Sequence, residues 1–367
     1  MSAIREDTLR TFASDLLVEL GAPDAVSRNV ARSLVDADLT GHTSHGVLRI
    51  PSYGEMIQDR VLDPEATPTM ERDRVNMATI DGNHAFGQVV GRFGTDVLVE
   101  KATQMGVAGI GIRNATHLGR MGEWAERATE EGLMFGSFVN TSGGGLIVAP
   151  AGSTTRRFST NPLTFGVPPF GALPFPLVLD MASSQVAQGK LMEYEANERS
   201  VPGEWAVSAD GTAMTEPGEV AAFREGQGNG AVRPLGGTTA GHKGTGLAVM
   251  AELFAGLLGG SDVVGQRDPE SWFENGAFFF AVDPTAFGDP ETMGKKVDTF
   301  VEHFRGAESH PDVPVGDGAS GSEPLLPGEA EYRTAQVRKS DGIPLPERVL
   351  DELEELADEL AVENPLP

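Results

Sequence analysis

One junction narrows the fold more than any other feature. Residues 107–112 form a short aliphatic run bracketed by glycine, which breaks at a polar turn, Asn114-Ala-Thr-His-Leu-Gly-Arg-Met-Gly122. Residues 123–131 then space their apolar side chains as a helix does. A buried strand, a turn and an amphipathic helix in succession make the building unit of an α/β protein. The alternation recurs on both sides. It predicts strands over residues 75–80, 134–139, 175–179 and 277–282. It predicts helices over 87–105, 184–194 with a serine as N-cap, 247–258 and 295–304. Residues 140–168 carry too many turn formers for a helix and read as loops with short strands. Residues 197–240 read as a surface excursion, and 308–329 as an acidic stretch rich in Gly and Pro.

The ends of the chain differ from its middle. Leu9, Phe12, Leu16 and Leu17 fall on one helical face before Gly21, and Val26, Val30, Leu34 and Val35 on another after Pro23. A short helix is expected from Tyr53 toward Val61, and a last one over 346–361. No internal repeat is visible.

Composition excludes several classes of function. At 40% hydrophobic and 22% charged over 367 residues, the chain can bury a large core as one large or two ordinary domains. Its formal charge of -26 opposes nucleic acid or an anionic membrane as partner. The acidity is spread along the chain and reads as a solvated surface, which suggests adaptation to high salt. No cysteine is present, so disulfides and thiolate metal sites are excluded. No secretory leader and no membrane-length apolar run is seen, which makes the cytoplasm the expected location.

His117, at the strand-to-helix junction, is the first candidate for chemistry, because its unperturbed pKa suits proton exchange near neutrality. A second unusual stretch is Gly41-His-Thr-Ser-His-Gly-Val-Leu-Arg-Ile50, where two histidines, a serine and an arginine crowd one loop. Asp180 is expected at a strand end, where it either faces a ligand crevice or caps the next helix. The glycines of 106–111 lie inside the strand rather than after it, so the dinucleotide fingerprint G-x-G-x-x-G is not met. Gly237 to Gly244 lacks the Gly-Lys-Ser/Thr order of a P-loop. Its glycines either free backbone N–H groups that hold a phosphate beside Lys243 or allow close helix packing. No metal is expected, since His42 and His45 lack further ligands, and a hydrolase is disfavoured because Ser44 has no G-x-S-x-G elbow.

Taken together, Asp38-Leu-Thr-Gly-His-Thr-Ser-His-Gly-Val-Leu-Arg49, Asn114 to Gly122, Ser159-Thr-Asn-Pro162, Leu179-Asp-Met-Ala-Ser-Ser184, Gly189-Lys190, Val201-Pro-Gly-Glu-Trp205, Gly241-His-Lys-Gly-Thr-Gly-Leu247 and Pro327-Gly-Glu329 resemble the malate/L-lactate dehydrogenase family. That family includes ureidoglycolate and sulfolactate dehydrogenases and the piperideine/pyrroline-2-carboxylate reductases. The matching pieces span nearly the whole chain in order. The resemblance implies a central non-Rossmann α/β domain with a large mixed sheet, residues 66–306, binding NAD or NADP. It also implies a helical domain from residues 1–65 and 307–367, and a homodimer.

It further implies that His117 is the general acid/base and that Arg49 clamps the substrate carboxylate with Ser44 and His45 beside it. Thr160, Asn161, Pro162, Asp180, Met181 and Ala182, with Lys243 and Gly244, would contact the cofactor. Leu118 stands where the family often has phenylalanine. The expected activity is hydride transfer between nicotinamide and a small 2-hydroxy or 2-oxo acid of the malate, lactate or sulfolactate type. Reduction of a cyclic imine-2-carboxylate on the same fold is one alternative, and a non-catalytic acidic binding protein another.

Overall fold

The computed structural model describes residues 3–366 apart from 188–189, 192–193, 195–198, 217–229, 269, 317–318 and 321–322. At its centre is a mixed seven-stranded sheet in the order β2-β3-β4-β10-β5-β6-β7. Its strands are β2 (Thr69–Asp73), β3 (Met77–Asp81), β4 (Val107–Ala115), β5 (Met134–Ser142), β6 (Leu163–Val167), β7 (Leu177–Met181) and β10 (Glu274–Val282). Within this sheet only β3 and β4 pair in parallel. β4 is buried almost without alternation because both its faces are covered. Helix α4 (Gly87–Met105) and α5 (Met121–Glu130) pack on the sheet, and α6 (Gly237–Phe254) continues into a π turn, Ala255–Gly259, against β4 and β10.

The terminal segments join around a separate core. Helices α1 (Glu6–Glu19), α2 (Asp24–Leu39) and α3 (Ile50–Gln58) share buried side chains with α9 (Glu347–Leu360), including Leu9, Phe12, Leu34, Tyr53, Val349 and Leu353. Strands β1 (Ala3–Ile4) and β13 (Ile343–Pro344) pair and tie the two ends together. A third, smaller core forms around Ile147, Val148, Val201, Val207 and Val232, where β8 (Ala206–Ser208) pairs with β9 (Gly230–Val232). The described part of residues 197–240 is therefore packed rather than a bare surface loop. Further helices are α7 (Pro290–Arg305) and α8 (Glu329–Asp341), and a small hairpin joins β11 (Pro314–Gly316) to β12 (Ala319–Ser320). Among the described residues no helix is long and apolar enough to cross a membrane.

Several boundaries move from where the sequence puts them. β4 continues past Ile112 because its polar end is satisfied. Arg113 binds Glu71 at 2.5 Å and Asp81 at 2.7 Å, and Asn114 binds Asp81 at 2.9 Å from a left-handed backbone with φ 50°. β5 continues through Asn140, whose amide reaches Glu252 at 2.9 Å. β7 begins at Leu177, after Pro176, so Asp180 and Met181 lie inside the strand, opposite Thr164 and Leu163. Ser184 does not cap a helix. It bridges to Pro234 and donates to the Val186 carbonyl, while Lys190 and Leu191 donate to Ala187. Part of the predicted 184–194 helix lies outside the described residues. α6 starts at Gly237, breaks at Ala240 (φ -131°) and resumes, so the glycine-rich segment lies in its first turns.

Candidate active site

Two chain segments deliver the candidate reactive side chains to one place. His117 lies in the turn between β4 and α5, two residues beyond the strand. Its loop is pinned from every side. Thr116 accepts from Gly87 N–H and donates to Ala85 O, Asn275 accepts from Leu118 N–H at 3.1 Å, and Trp124 donates to Leu118 O. A Cβ on Gly87 would collide with the His117 carbonyl, so the start of α4 presses directly on the loop. Ser44, His45 and Arg49 come from two 3₁₀ turns, Thr43–His45 and Val47–Arg49, which link α2 to α3. Asp38 lies beneath these turns, fully buried. One of its oxygens accepts from Val47 N–H at 2.9 Å and the other has no partner. Gly46 is required there, since a Cβ would overlap that carboxylate.

Ser44, His45, Arg49 and His117 line one cavity of about 300 Å³ together with Thr160, Pro162, Asp180, Met181 and Ala182. The cavity sits where the C-terminal ends of β4, β5 and β7 meet the N-terminal ends of β6 and β10, the end of an α/β sheet at which ligands commonly bind. Leu118, Met121, Val139 and Phe273 give it apolar walls. The His45 and His117 rings stack at 5.3 Å, and Phe273 meets His117 edge-on at 6.4 Å.

Charge in the cavity is uneven. Arg49 donates from Nε to the Ser44 carbonyl at 2.7 Å, yet among the described residues no carboxylate pairs with it. Burial pushes its pKa down, against a smaller opposing effect from Tyr53. Burial, then Arg49 and His45, hold His117 well below the ordinary histidine value, so its imidazole is neutral at pH 7. Burial and Arg49 also bring His45 down to about 3. Arg120, the second guanidinium, is already spoken for. Burial works against it, but its bidentate pair with Glu126 outweighs that and raises its pKa. Asp180 is raised by burial, opposed by His42 and by the Gly122 N–H that it accepts at 2.7 Å.

Three of the sequence candidates lie elsewhere. Asn161 is fully buried at φ 33° and turns its amide away, to Glu252 at 2.8 Å and Ala248 O. Lys243 is exposed and does not line the cavity. Gly244 donates to Leu235 O, and a Cβ there would strike the Leu235 backbone, so this glycine permits close packing. Glu204 takes the Thr238 N–H at 3.0 Å, which puts a carboxylate at the start of α6 where the sequence suggested a phosphate. At the cavity wall and buried behind it are residues the sequence did not single out for this site. Tyr53 binds His117 Nδ1 at 2.9 Å, and His42 binds Glu331 of α8 at 3.2 Å. Tyr53 was detectable in principle, because it follows Arg49 by four residues and a helix places such pairs on one face.

Residues 4–354 match the malate/L-lactate dehydrogenase family. The chain belongs to that family. It is 32% identical to the malate/(S)-sulfolactate dehydrogenase of Methanothermus fervidus over 96% of this chain and 97% of the relative. It superposes on malate dehydrogenase from Entamoeba histolytica with a TM-score of 0.89 at 27% identity, covering 100% of this chain and 99% of that one. The delta1-piperideine-2-carboxylate reductase of Pseudomonas syringae also shares the fold, at TM-score 0.81 and 26% identity over 97% of this chain and 100% of that one. This family member is a 2-hydroxy acid oxidoreductase that uses NAD or NADP.

Proposed function

We propose that the cavity is where a small 2-hydroxy acid is oxidised and its 2-oxo partner reduced, with Arg49 holding the carboxylate and His117 exchanging the hydroxyl proton. The observation that carries this reading is Arg49 itself. A half-buried guanidinium in a cavity wall without an anion is costly, and a planar carboxylate matches its two-pronged fork. His117, neutral beside it, accepts the hydroxyl proton during oxidation and returns it during reduction. The substrate carboxylate offsets the Arg49 charge, which adds to burial in holding His117 neutral, so binding makes the histidine a better base. Ser44 and the Nδ1 of His45 lie 2.9 Å apart and buttress the Arg49 side of the cavity.

The cavity residues fit a nicotinamide. Gly145, Ala182 and Ala187 leave room for a flat ring, Met181 and Val139 offer apolar faces, and Thr160 and Asp180 offer polar partners for a carboxamide. The cofactor, when bound, supplies or accepts the hydride. Thr160, Pro162, Asp180, Met181 and Ala182 are the residues of this chain that would hold its ring. A volume of about 300 Å³ admits a ring and a small acid and little water, which strengthens the Arg49 and His117 electrostatics.

The same reading extends to assembly and setting. Phe165, Leu179, Met250, Leu253, Phe254 and Leu257 are exposed, and Phe138 links Phe165 to Phe254 at ring distances of 6.4 and 4.6 Å. This apolar face of the sheet and α6 supports a homodimer. The exposed carboxylates of α9, such as Asp351, Glu354, Glu355, Asp358 and Glu359, support adaptation to high salt. The separate terminal core supports a helical domain of residues 1–65 and 307–367 beside an α/β domain of 66–306.

Reduced-nicotinamide absorbance tests the reading, with pyruvate, oxaloacetate and sulfonated 2-oxo acids screened beside cyclic imines in low and high salt. Turnover of one 2-oxo acid is expected. Turnover of imines alone would replace the hydroxy acid reading with the reductase one.

A further inference from the structure

His117 has two ring nitrogens, and only the one facing the cavity can trade a proton with substrate. Nδ1 lies 2.9 Å from Tyr53 Oη, which leaves Nε2 for the substrate. Tyr53 Oη in turn lies 2.6 Å from Nε2 of the Gln88 side-chain amide. Tyr53 and Gln88 are fully buried, so no water competes for these bonds. The direction of the chain therefore decides which nitrogen of neutral His117 carries the proton.

Two directions are available. If the Gln88 amide nitrogen faces Tyr53, the phenol donates to Nδ1. The neutral imidazole then carries its proton on Nε2 and has no lone pair there for a substrate hydroxyl. If the amide oxygen faces Tyr53, the phenol donates to Gln88 and His117 Nδ1–H donates to the phenol. Nε2 is then a free base, and after it takes the substrate proton the imidazolium keeps the same bond to Tyr53. A separation of 2.6 Å is short for N–H···O and ordinary for O–H···O. The two amide atoms are assigned by their hydrogen bonds alone. Turning the amide exchanges the bond of its nitrogen for one to its oxygen, which otherwise has no partner, and moves the NH2 group to the oxygen's former place.

We propose that Gln88 is a positioning residue that turns its amide oxygen to Tyr53 and thereby fixes neutral His117 as the Nδ1–H tautomer, keeping Nε2 open to the substrate proton. This rests on the acid/base reading of His117. Burial pushes the Tyr53 phenol up to about 12, so it stays a neutral hydroxyl that relays geometry and not charge. The charged and titratable groups around His117 are His45 and Arg49 from the turn before α3, Tyr53 on α3, and His42, Arg120 and Asp180 elsewhere on the cavity wall. None of these except Tyr53 hydrogen-bonds Nδ1.

The test is 15N NMR of the seven histidines in the labelled whole protein, with the His117 signals identified by their loss in His117→Asn. Wild-type protein at pH 8 is expected to show a protonated Nδ1 and an unprotonated Nε2. Gln88→Leu removes the acceptor, so Tyr53 turns to Nδ1 and the pattern reverses. Hydroxy acid oxidation in that variant should lose roughly 10- to 100-fold in kcat with little change in KM. A wild-type spectrum with Nε2 protonated would overturn the proposal without needing any variant to fold. So would an unchanged tautomer in Gln88→Leu. If His117→Asn keeps full activity while the spectra come out as expected, the acid/base reading fails and the tautomer assignment stands.

Discussion

Asp38 offers the sharpest test of how the turn that carries Arg49 is held. It is fully buried under Gly46 and Val47, one carboxylate oxygen has no partner, and burial pushes its pKa from 3.8 up to about 7 against weaker help from Val47 N–H and Arg338. A carboxyl raised in the folded state stabilises fully below its unfolded value. That contribution is lost as pH rises toward the folded pKa, because the unfolded chain ionises first. At about 1.4 kcal/mol per pH unit, the loss between pH 5.5 and 8 comes to about 2 kcal/mol. Asp38→Asn cannot ionise but keeps an oxygen for the Val47 N–H. Any fixed cost of the buried NH2 group is the same at both pH values and cancels. The variant should therefore gain about 2 kcal/mol on wild type between pH 5.5 and 8 in urea unfolding at fixed protein and salt concentration. Its KM for the 2-oxo acid should stay near wild type. Parallel pH dependence of the two proteins would refute the reasoning, because Asp38 would then ionise freely in the fold.

Other outcomes follow from the same geometry. Arg49→Lys keeps the charge but loses the fork, so KM should rise roughly 10- to 100-fold with kcat largely kept, as steady-state kinetics would show. Gly87→Ala drives a Cβ into the His117 carbonyl; displacement of the loop should lower kcat by up to roughly 100-fold while cofactor fluorescence still reports binding. Because Arg49 helps hold His117 unprotonated, an unreactive 2-oxo acid analogue should take up protons on binding and lose affinity as pH rises, measurable by calorimetry in buffers of different ionisation heat.

The strand, turn and helix around His117 were legible because burial on both faces of β4 leaves a continuous aliphatic run, and α4 was legible to both its ends. Ser44, His45 and Arg49 stood out as polar residues crowded into one loop. What stayed hidden depends on partners far apart in sequence. Phe273 and Asn275 enter the cavity only because β10 inserts between β4 and β5. Helix α8 escaped notice because it is polar nearly all round and buries only Glu329, yet it supplies Glu331 to His42 and Arg338 to the Asp38 carbonyl. β2 is exposed along its whole length and carries no alternation to read. Gln88 looks like any polar residue in the first turn of a helix until Tyr53 and His117 are placed beside it.

The central claim is that His117 exchanges the substrate proton in a cavity where Arg49 holds the carboxylate. It is tested most directly by His117→Gln assayed against wild type for reduced-nicotinamide oxidation with the preferred 2-oxo acid. A kcat lowered by roughly 100- to 10,000-fold, with cofactor binding intact and KM little changed, is the predicted result. A variant that keeps most of its kcat would contradict it, and the proton would have to come from another group on the cavity wall.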